Sequence, residues 1–125
     1  MAHILVVDDS PTDVHLVKVA LEGAGHQVSV GTTPEEGVAM AKTLQPALVL
    51  MDIVFQGTSG YQAVRALAKD PETATMPVMI VSVKGLDSDK AWGMRQGAVE
   101  YVVKPFKPRE LVEAVNKVLA AHGGA

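Results

Sequence analysis

An open α/β fold, a five-stranded parallel sheet with helices on both faces, is predicted by three features of this 125-residue sequence. Short β-rich apolar runs recur along it, and each is followed by a segment of helical periodicity. The first, third and fourth runs are continuous apolar blocks rather than alternating ones, as burial on both faces of a parallel sheet requires. Two helix starts are spelled out by a hydroxyl, a proline and an acid in succession. Strict alternation of strand and helix then implies right-handed crossovers and helices on both sides.

The first strand is read at His3–Val7. Ser10-Pro11-Thr12-Asp13 opens the first helix with an N-cap hydroxyl, proline at the first helical position and an acid at the third. Val14, Val17 and Leu21 mark its apolar face, and Gly23 and Gly25 bracket its end. The second strand, Gln27–Gly31, leads to Thr33-Pro34-Glu35-Glu36, which repeats the start signal and adds a capping box to a helix from about Pro34 to Leu44. The third strand, Ala47–Met51, precedes a helix over roughly Tyr61 to Lys69 that stops before Pro71. The fourth, Pro77–Val81, precedes one over about Ser88 to Gln96, ended by Gly97. In that helix Ala91, Met94 and Ala98 are expected on the buried face, with Trp92 about 100° away from Ala91 at its margin. The fifth strand, Glu100–Val103, is followed by a helix from Pro108 to about His122, and Gly123-Gly124 finishes the chain. The methionines fall mostly within apolar segments and read as core.

With 48% hydrophobic residues, the chain has the size and composition of one domain, 1–125, and the final helix leaves nothing after it for an output domain. No apolar run approaches the ~20 residues that cross a bilayer, and the N-terminus lacks a signal-peptide pattern, so a cytoplasmic location is expected. The absence of cysteine rules out disulfides and thiolate metal sites. A net charge of −3 argues against generic nucleic-acid binding. The charge is uneven: residues 1–83 carry four basic and nine acidic side chains, residues 84–125 seven and five. That asymmetry is equally compatible with ordinary surface patterning.

Ligands of open α/β sheets bind outside the carboxyl ends of the strands. The residues that follow the strands here are Asp8 and Asp9, Asp52, Ser82, and Lys104 with Pro105. Three carboxylates, a hydroxyl and an ammonium should therefore share one rim. Like charges ~4–5 Å apart at an effective dielectric near 20 repel by roughly 3–4 kcal/mol, against a domain stability of only ~5–15 kcal/mol. Such a cluster needs neutralising, and hard oxygen ligands open to water suit Mg²⁺ better than Zn²⁺. A carboxylate can take a phosphoryl group when metal and ammonium offset the charge. Asp52, central among the strand ends, is the best nucleophile candidate. Singly these residues are bland: Asp8 and Asp9 as turn acids, Asp52 as a solvated loop acid, Lys104 as a surface lysine, Ser82 as a turn hydroxyl. Only the set is persuasive.

The set, in VVDDS (Val6–Ser10), VLMDIV (Val49–Val54), VSVK (Val81–Lys84) and YVVKPF (Tyr101–Phe106), resembles the receiver domains of bacterial response regulators over essentially the whole chain. MDIV together with Asp89–Ala98 is further similar to the single-domain, chemotaxis-regulator-like proteins of type IV pilus twitching-motility systems. The resemblance implies a flavodoxin-like doubly wound (βα)5 fold with strand order 2-1-3-4-5. It implies phosphorylation of Asp52 by a histidine kinase, and Mg²⁺ bound by Asp9 and Asp52 directly, by Asp8 mainly through water, and by the backbone carbonyl of Val54. It also implies contacts from Lys104 and Ser82 to phosphoryl oxygens, a Tyr101 that turns inward as Ser82 moves, and a cis Lys104–Pro105 peptide. Output would be changed binding of a protein target through the face formed by the fourth helix, fifth strand and fifth helix, in a monomer or weak dimer that contacts neither nucleic acid nor membrane.

Some positions depart from the family pattern. Phe55-Gln56-Gly57 replaces a common Met-Pro-Gly, so this loop loses a proline restraint and is expected to be more mobile. Val83 is larger than the usual small residue and would narrow access, while Val54 and Lys84 occupy positions that tune phosphoryl lifetime. Tyr101 also reads as plain strand packing, and Trp92 as either core margin or a partner-binding anchor. The four histidines lie at non-ligand spacings, and Gly57, Gly60 and Gly85 form no phosphate cradle. Two other functions fit parts of the pattern. A phosphatase-type enzyme would need a second acid where Val54 stands; a phosphate sink for a sister regulator would need no change in binding at all.

Overall fold

The computed structural model describes residues 1–122. Its strands and helices follow in the order β1 (His3–Val7), α1 (Pro11–Gly23), β2 (Gln27–Gly31), α2 (Pro34–Leu44), β3 (Leu48–Met51), β4 (Val54–Phe55), β5 (Thr58–Ser59), α3 (Gly60–Lys69), β6 (Val78–Ser82), α4 (Asp87–Gln96), β7 (Glu100–Val103) and α5 (Pro108–Ala121). The main sheet is parallel in the order β2-β1-β3-β6-β7, which is the expected 2-1-3-4-5 once the small β4–β5 hairpin is set aside. That hairpin is absent from the sequence reading because two-residue strands leave no period to detect.

Alternation along the buried strands divides the core in two. Leu5, Val7, Val49, Met51, Val78 and Ile80 face α2 and α3. Ile4, Val6, Leu48, Leu50, Met79 and Val81 face α1 and α5, where Val17, Leu21, Leu111, Val115, Val118 and Leu119 close over them. The three continuous apolar runs are thus the two-faced strands β1, β3 and β6.

The helix starts form with one amendment. Ser10 Oγ accepts from the Asp13 amide at 3.3 Å, and Thr33 Oγ1 accepts from the Glu36 amide at 3.1 Å. The expected capping box at α2 is incomplete, since the Glu36 carboxylate reaches past Thr33 to the Thr32 amide at 2.7 Å.

The buried face of α4 is not the expected one. Ala91 and Met94 are exposed, Met94 at 44%, and Trp92 is exposed at 47%. Gly93 and Gln96 are buried instead. A Cβ on Gly93 would lie 2.5 Å from Ile80 Cδ1 and 3.2 Å from the Tyr101 ring, so α4 meets the sheet backbone-first. Apolar periodicity misreads such a helix, because the residue that touches the core has no side chain to count. Ala98, just beyond the helix, is buried as expected.

Candidate functional site

The parallel register decides which residues meet at the carboxyl edge. Val7 is paired with Met51, Met51 with Ile80, and Ser82 with Val103. The next residue of each strand keeps one more ladder bond before the chain turns away: the Asp8 amide donates to Gly31 O (3.0 Å), that of Asp52 to Val7 O (3.0 Å), and that of Lys104 to Ser82 O (2.8 Å). The backbone of each of these three residues is therefore fixed by the sheet, while its side chain stands at the rim.

Asp8, Asp52 and Lys104 are buried there. Lys104 Nζ donates to Asp8 Oδ2 at 2.7 Å, to Asp13 Oδ2 at 2.8 Å and to Asp52 Oδ2 at 3.1 Å. An ammonium has three N–H donors and no acceptor, so these three bonds use its whole capacity. The other oxygen of Asp52, Oδ1, accepts from the Val54 amide at 3.0 Å, and Asp8 Oδ1 accepts from the Ser10 amide at 2.9 Å. Burial opposes the charge on Lys104, but the bonded carboxylates of Asp13 and Asp8 and the nearby charge of Asp52 outweigh it and hold the ammonium above the ordinary lysine range. Burial pushes the Asp8 carboxyl upward, against the pull of Lys104 and the Ser10 amide.

Asp13 is the residue that sequence reasoning missed. In the sequence it reads as a helix-start acid, and it does sit in the first turn of α1. The available signal was its distance from the strand end: a helix beginning at Pro11, three residues after Asp8, keeps its first turn beside the rim.

Asp9 is exposed, and among the described residues no hydrogen bond or ion pair engages its carboxylate. It lines a polar cleft of about 520 Å³ with Thr32, Thr33, Glu35, Phe55, Gln56 and Thr58. Among the described residues no three acids or histidines stand together as a metal-ligating group; the ammonium occupies the centre of the buried acids. The donor chemistry nonetheless fits Mg²⁺, since Asp8, Asp9, Asp52 and the Val54 carbonyl are all hard oxygen donors, and Asp9 among them lines the cleft.

Ser82 is fully buried at the end of β6, and its Oγ accepts from the Lys84 amide at 3.3 Å. Tyr101 is half-buried; its hydroxyl donates to Lys84 O at 2.7 Å, and its phenol is held well above the usual range by burial and by the neighbouring Tyr61. Ser82 and Tyr101 thus both bond the backbone of Lys84, in the connection between β6 and α4. The Lys104–Pro105 peptide is cis. Trp92 is exposed on α4.

The loop expected to lack restraint has a restraint of another kind. Val54 pairs with Ser59 and Phe55 with Thr58 around a Gln56-Gly57 turn, and Phe55 is buried. Val83 is exposed and lines an apolar groove of about 290 Å³ with Asp13, Leu16, Lys104, Pro105, Phe106 and Pro108. No helix among the described residues is long and apolar enough to cross a membrane.

Comparison with known proteins gives the same picture across the chain. The family described as the response regulator receiver domain matches residues 4–116. The protein PilH of Pseudomonas aeruginosa is 48% identical over 96% of this chain and 99% of its own length. The phosphate regulon regulator PhoB of the same organism is 36% identical over 96% of this chain, which spans 52% of that longer protein. Among solved structures, a response regulator from Chloroflexus aurantiacus superposes with a TM-score of 0.90 at 32% identity, covering 95% of this chain and 98% of that one. The chemotaxis protein CheY4 of Vibrio cholerae superposes with a TM-score of 0.89 at 27% identity, covering 95% and 99%.

Proposed function

The chain belongs to the response regulator receiver domain family, and on that premise we propose that it is a phosphorylation-dependent binding module whose acceptor is Asp52. The observation that carries this reading is the placement of Asp52: buried at the centre of the carboxyl edge, with one oxygen on the Val54 amide and the other on Lys104. In the transfer, the bond between phosphorus and a kinase histidine nitrogen breaks, its electron pair stays with the nitrogen, and an Asp52 carboxylate oxygen forms the new bond to phosphorus. Lys104 turns a donor from a carboxylate to a phosphoryl oxygen, and Ser82 supplies a hydroxyl to another. Asp8, Asp9, Asp52 and the Val54 carbonyl would hold Mg²⁺. Bound there, the ion supplies positive charge against the phosphoryl oxygens.

Ser82 and Tyr101 are both bonded to the Lys84 backbone, so movement of Ser82 toward the phosphoryl group reaches the β6–α4 connection and the phenol together. The α4–β7–α5 face, with Trp92 exposed on it, then changes its affinity for a protein target. A differential affinity of about 1–3 kcal/mol is enough for a useful response. The setting we propose is that of a cytoplasmic, stand-alone regulator of a type IV pilus chemosensory system, on the resemblance of MDIV and Asp89–Ala98; the match to PilH over 99% of that protein's length is in keeping with a regulator of receiver size.

The test is transfer of radiolabelled phosphate from a phosphorylated histidine kinase in Mg²⁺, comparing wild type with Asp52→Asn. Label on the wild type alone is expected; equal labelling of the two would remove Asp52 as acceptor. Labelled protein with unchanged target binding would favour the phosphate sink. In metal-free buffer Asp52→Asn should melt higher than wild type, because it removes one of the acids crowded on a single ammonium, and its stabilisation by Mg²⁺ should be smaller.

A further inference from the structure

We infer that Asp13 is a displaceable latch on Lys104, a positioning residue that holds a donor the phosphoryl oxygens would otherwise take and so limits the stability of the phosphorylated state. The inference rests on Asp52 being the acceptor. All three donors of the Lys104 ammonium are in use, on Asp8, Asp13 and Asp52. Transfer to Asp52 replaces its carboxylate charge with phosphoryl oxygens that inherit its donor, and those oxygens can take a second donor of Lys104 only if Asp8 or Asp13 releases it.

The three partners differ in what release entails. At Asp52 the carboxylate charge is consumed by the transfer itself, while the Asp8 side chain is 5% exposed and too enclosed to gain water in place of the ammonium. The Asp13 side chain is 35% exposed, and it borders the groove along Leu16, Val83 and Phe106 that also reaches Lys104. Water can solvate it there as soon as the bond breaks. Asp13 is also the partner held least rigidly by other bonds: Asp8 is tied to the Ser10 amide and Asp52 to the Val54 amide, whereas the Asp13 carboxylate has Lys104 as its partner among the described residues. Geometry and solvation therefore select the same residue to leave. Because a carboxylate and a phosphoryl oxygen then compete for one donor, removal of the Asp13 charge should favour the phosphoryl group.

The probe is beryllofluoride with Mg²⁺, a stand-in for the phosphoryl group, titrated calorimetrically into the full chain. Asp13→Asn should bind it about 3- to 5-fold more tightly than wild type, the range of a partly exposed ion pair, and should lose its aspartyl-phosphate correspondingly more slowly. Asp13→Glu, which keeps the charge and can regain the bond, should return toward wild type. In a Lys104→Met background, Asp13→Asn should have no further effect, since the competition needs the ammonium. Thermal melts establish that each variant is folded; should Lys104→Met not fold, the contrast between Asp13→Asn and Asp13→Glu still decides. Wild-type binding with an unshifted Asp13→Asn, or an equal shift in Asp13→Glu, would overturn the latch and leave the acceptor reading intact. A wild type that binds no beryllofluoride would defeat the acceptor reading, and the latch with it.

Discussion

Helices α4 and α5 cover the sheet on opposite faces and are held to it by different means. α5 lays a stripe of Leu111, Val115, Val118 and Leu119 into the core, all buried, at the i, i+4, i+7, i+8 spacing of an amphipathic helix. α4 buries Gly93 and Gln96 and leaves Trp92 and Met94 exposed, with Leu86 at its N-cap 69% exposed. One helix is held by volume, the other by a close approach of backbone. The first arrangement resists displacement through many dispersion contacts; the second leaves little apolar area to lose if the helix shifts. A helix that reports on the strand ends should be of the second kind, because the parts of a protein that move are drawn from its least stable regions.

The largest effect that would test this contrast is on α5. Leu111→Ala should destabilise the fold by about 2–5 kcal/mol, the usual range for a fully buried leucine, in a urea or thermal melt. A much smaller loss would mean that α5 is no better anchored than α4. Next comes Gly93→Ala. In an ordinary exposed helix interior, alanine is favoured over glycine by about 0.5–1 kcal/mol. Here the added methyl would meet Ile80 and Tyr101, and a net cost of about 1–3 kcal/mol is expected from overpacking. The sign of that single change decides whether backbone contact holds α4. Native-state hydrogen exchange should find α4 amides opening more readily than those of α5, with exchange in α5 closer to global unfolding. Smallest of all, Trp92→Ala and Met94→Ala should each alter stability by no more than about 0.5 kcal/mol, and any loss they cause should appear in target binding instead.

The same contrast explains what could be read from the sequence. Where burial is carried by side chains, as in β1, β3, β6, α1 and α5, apolar runs and spacing locate the element, and in α1 its inner face as well. Where it is carried by a missing side chain, as at Gly93, the apolar residues of α4 pointed to the wrong face. The strand-end set of Asp8, Asp9, Asp52, Ser82 and Lys104 was legible because a parallel sheet brings the residues after its strands to one edge, whatever the loops do. Asp13 was not, because its place in the site depends on how α1 leaves that edge, and its helix-start role was already a sufficient explanation. Nor could spacing distinguish Asp9, exposed at the cleft, from Asp8, buried on the ammonium; adjacent residues after a strand look alike until the turn is known.

Gly60 has a consequence for which sequences this scaffold can accept. It begins α3 and donates its amide to Ile53 O at 3.1 Å, and a Cβ built there would fall 2.0 Å from the backbone oxygen of Asp52. The obstruction is main chain, so no rotamer change relieves it. A library randomised over 54–60 should therefore return variety at the exposed turn residue Gln56 and glycine alone at position 60. A substitution there would be removed by selection for the backbone of Asp52, without any change in the charges around it.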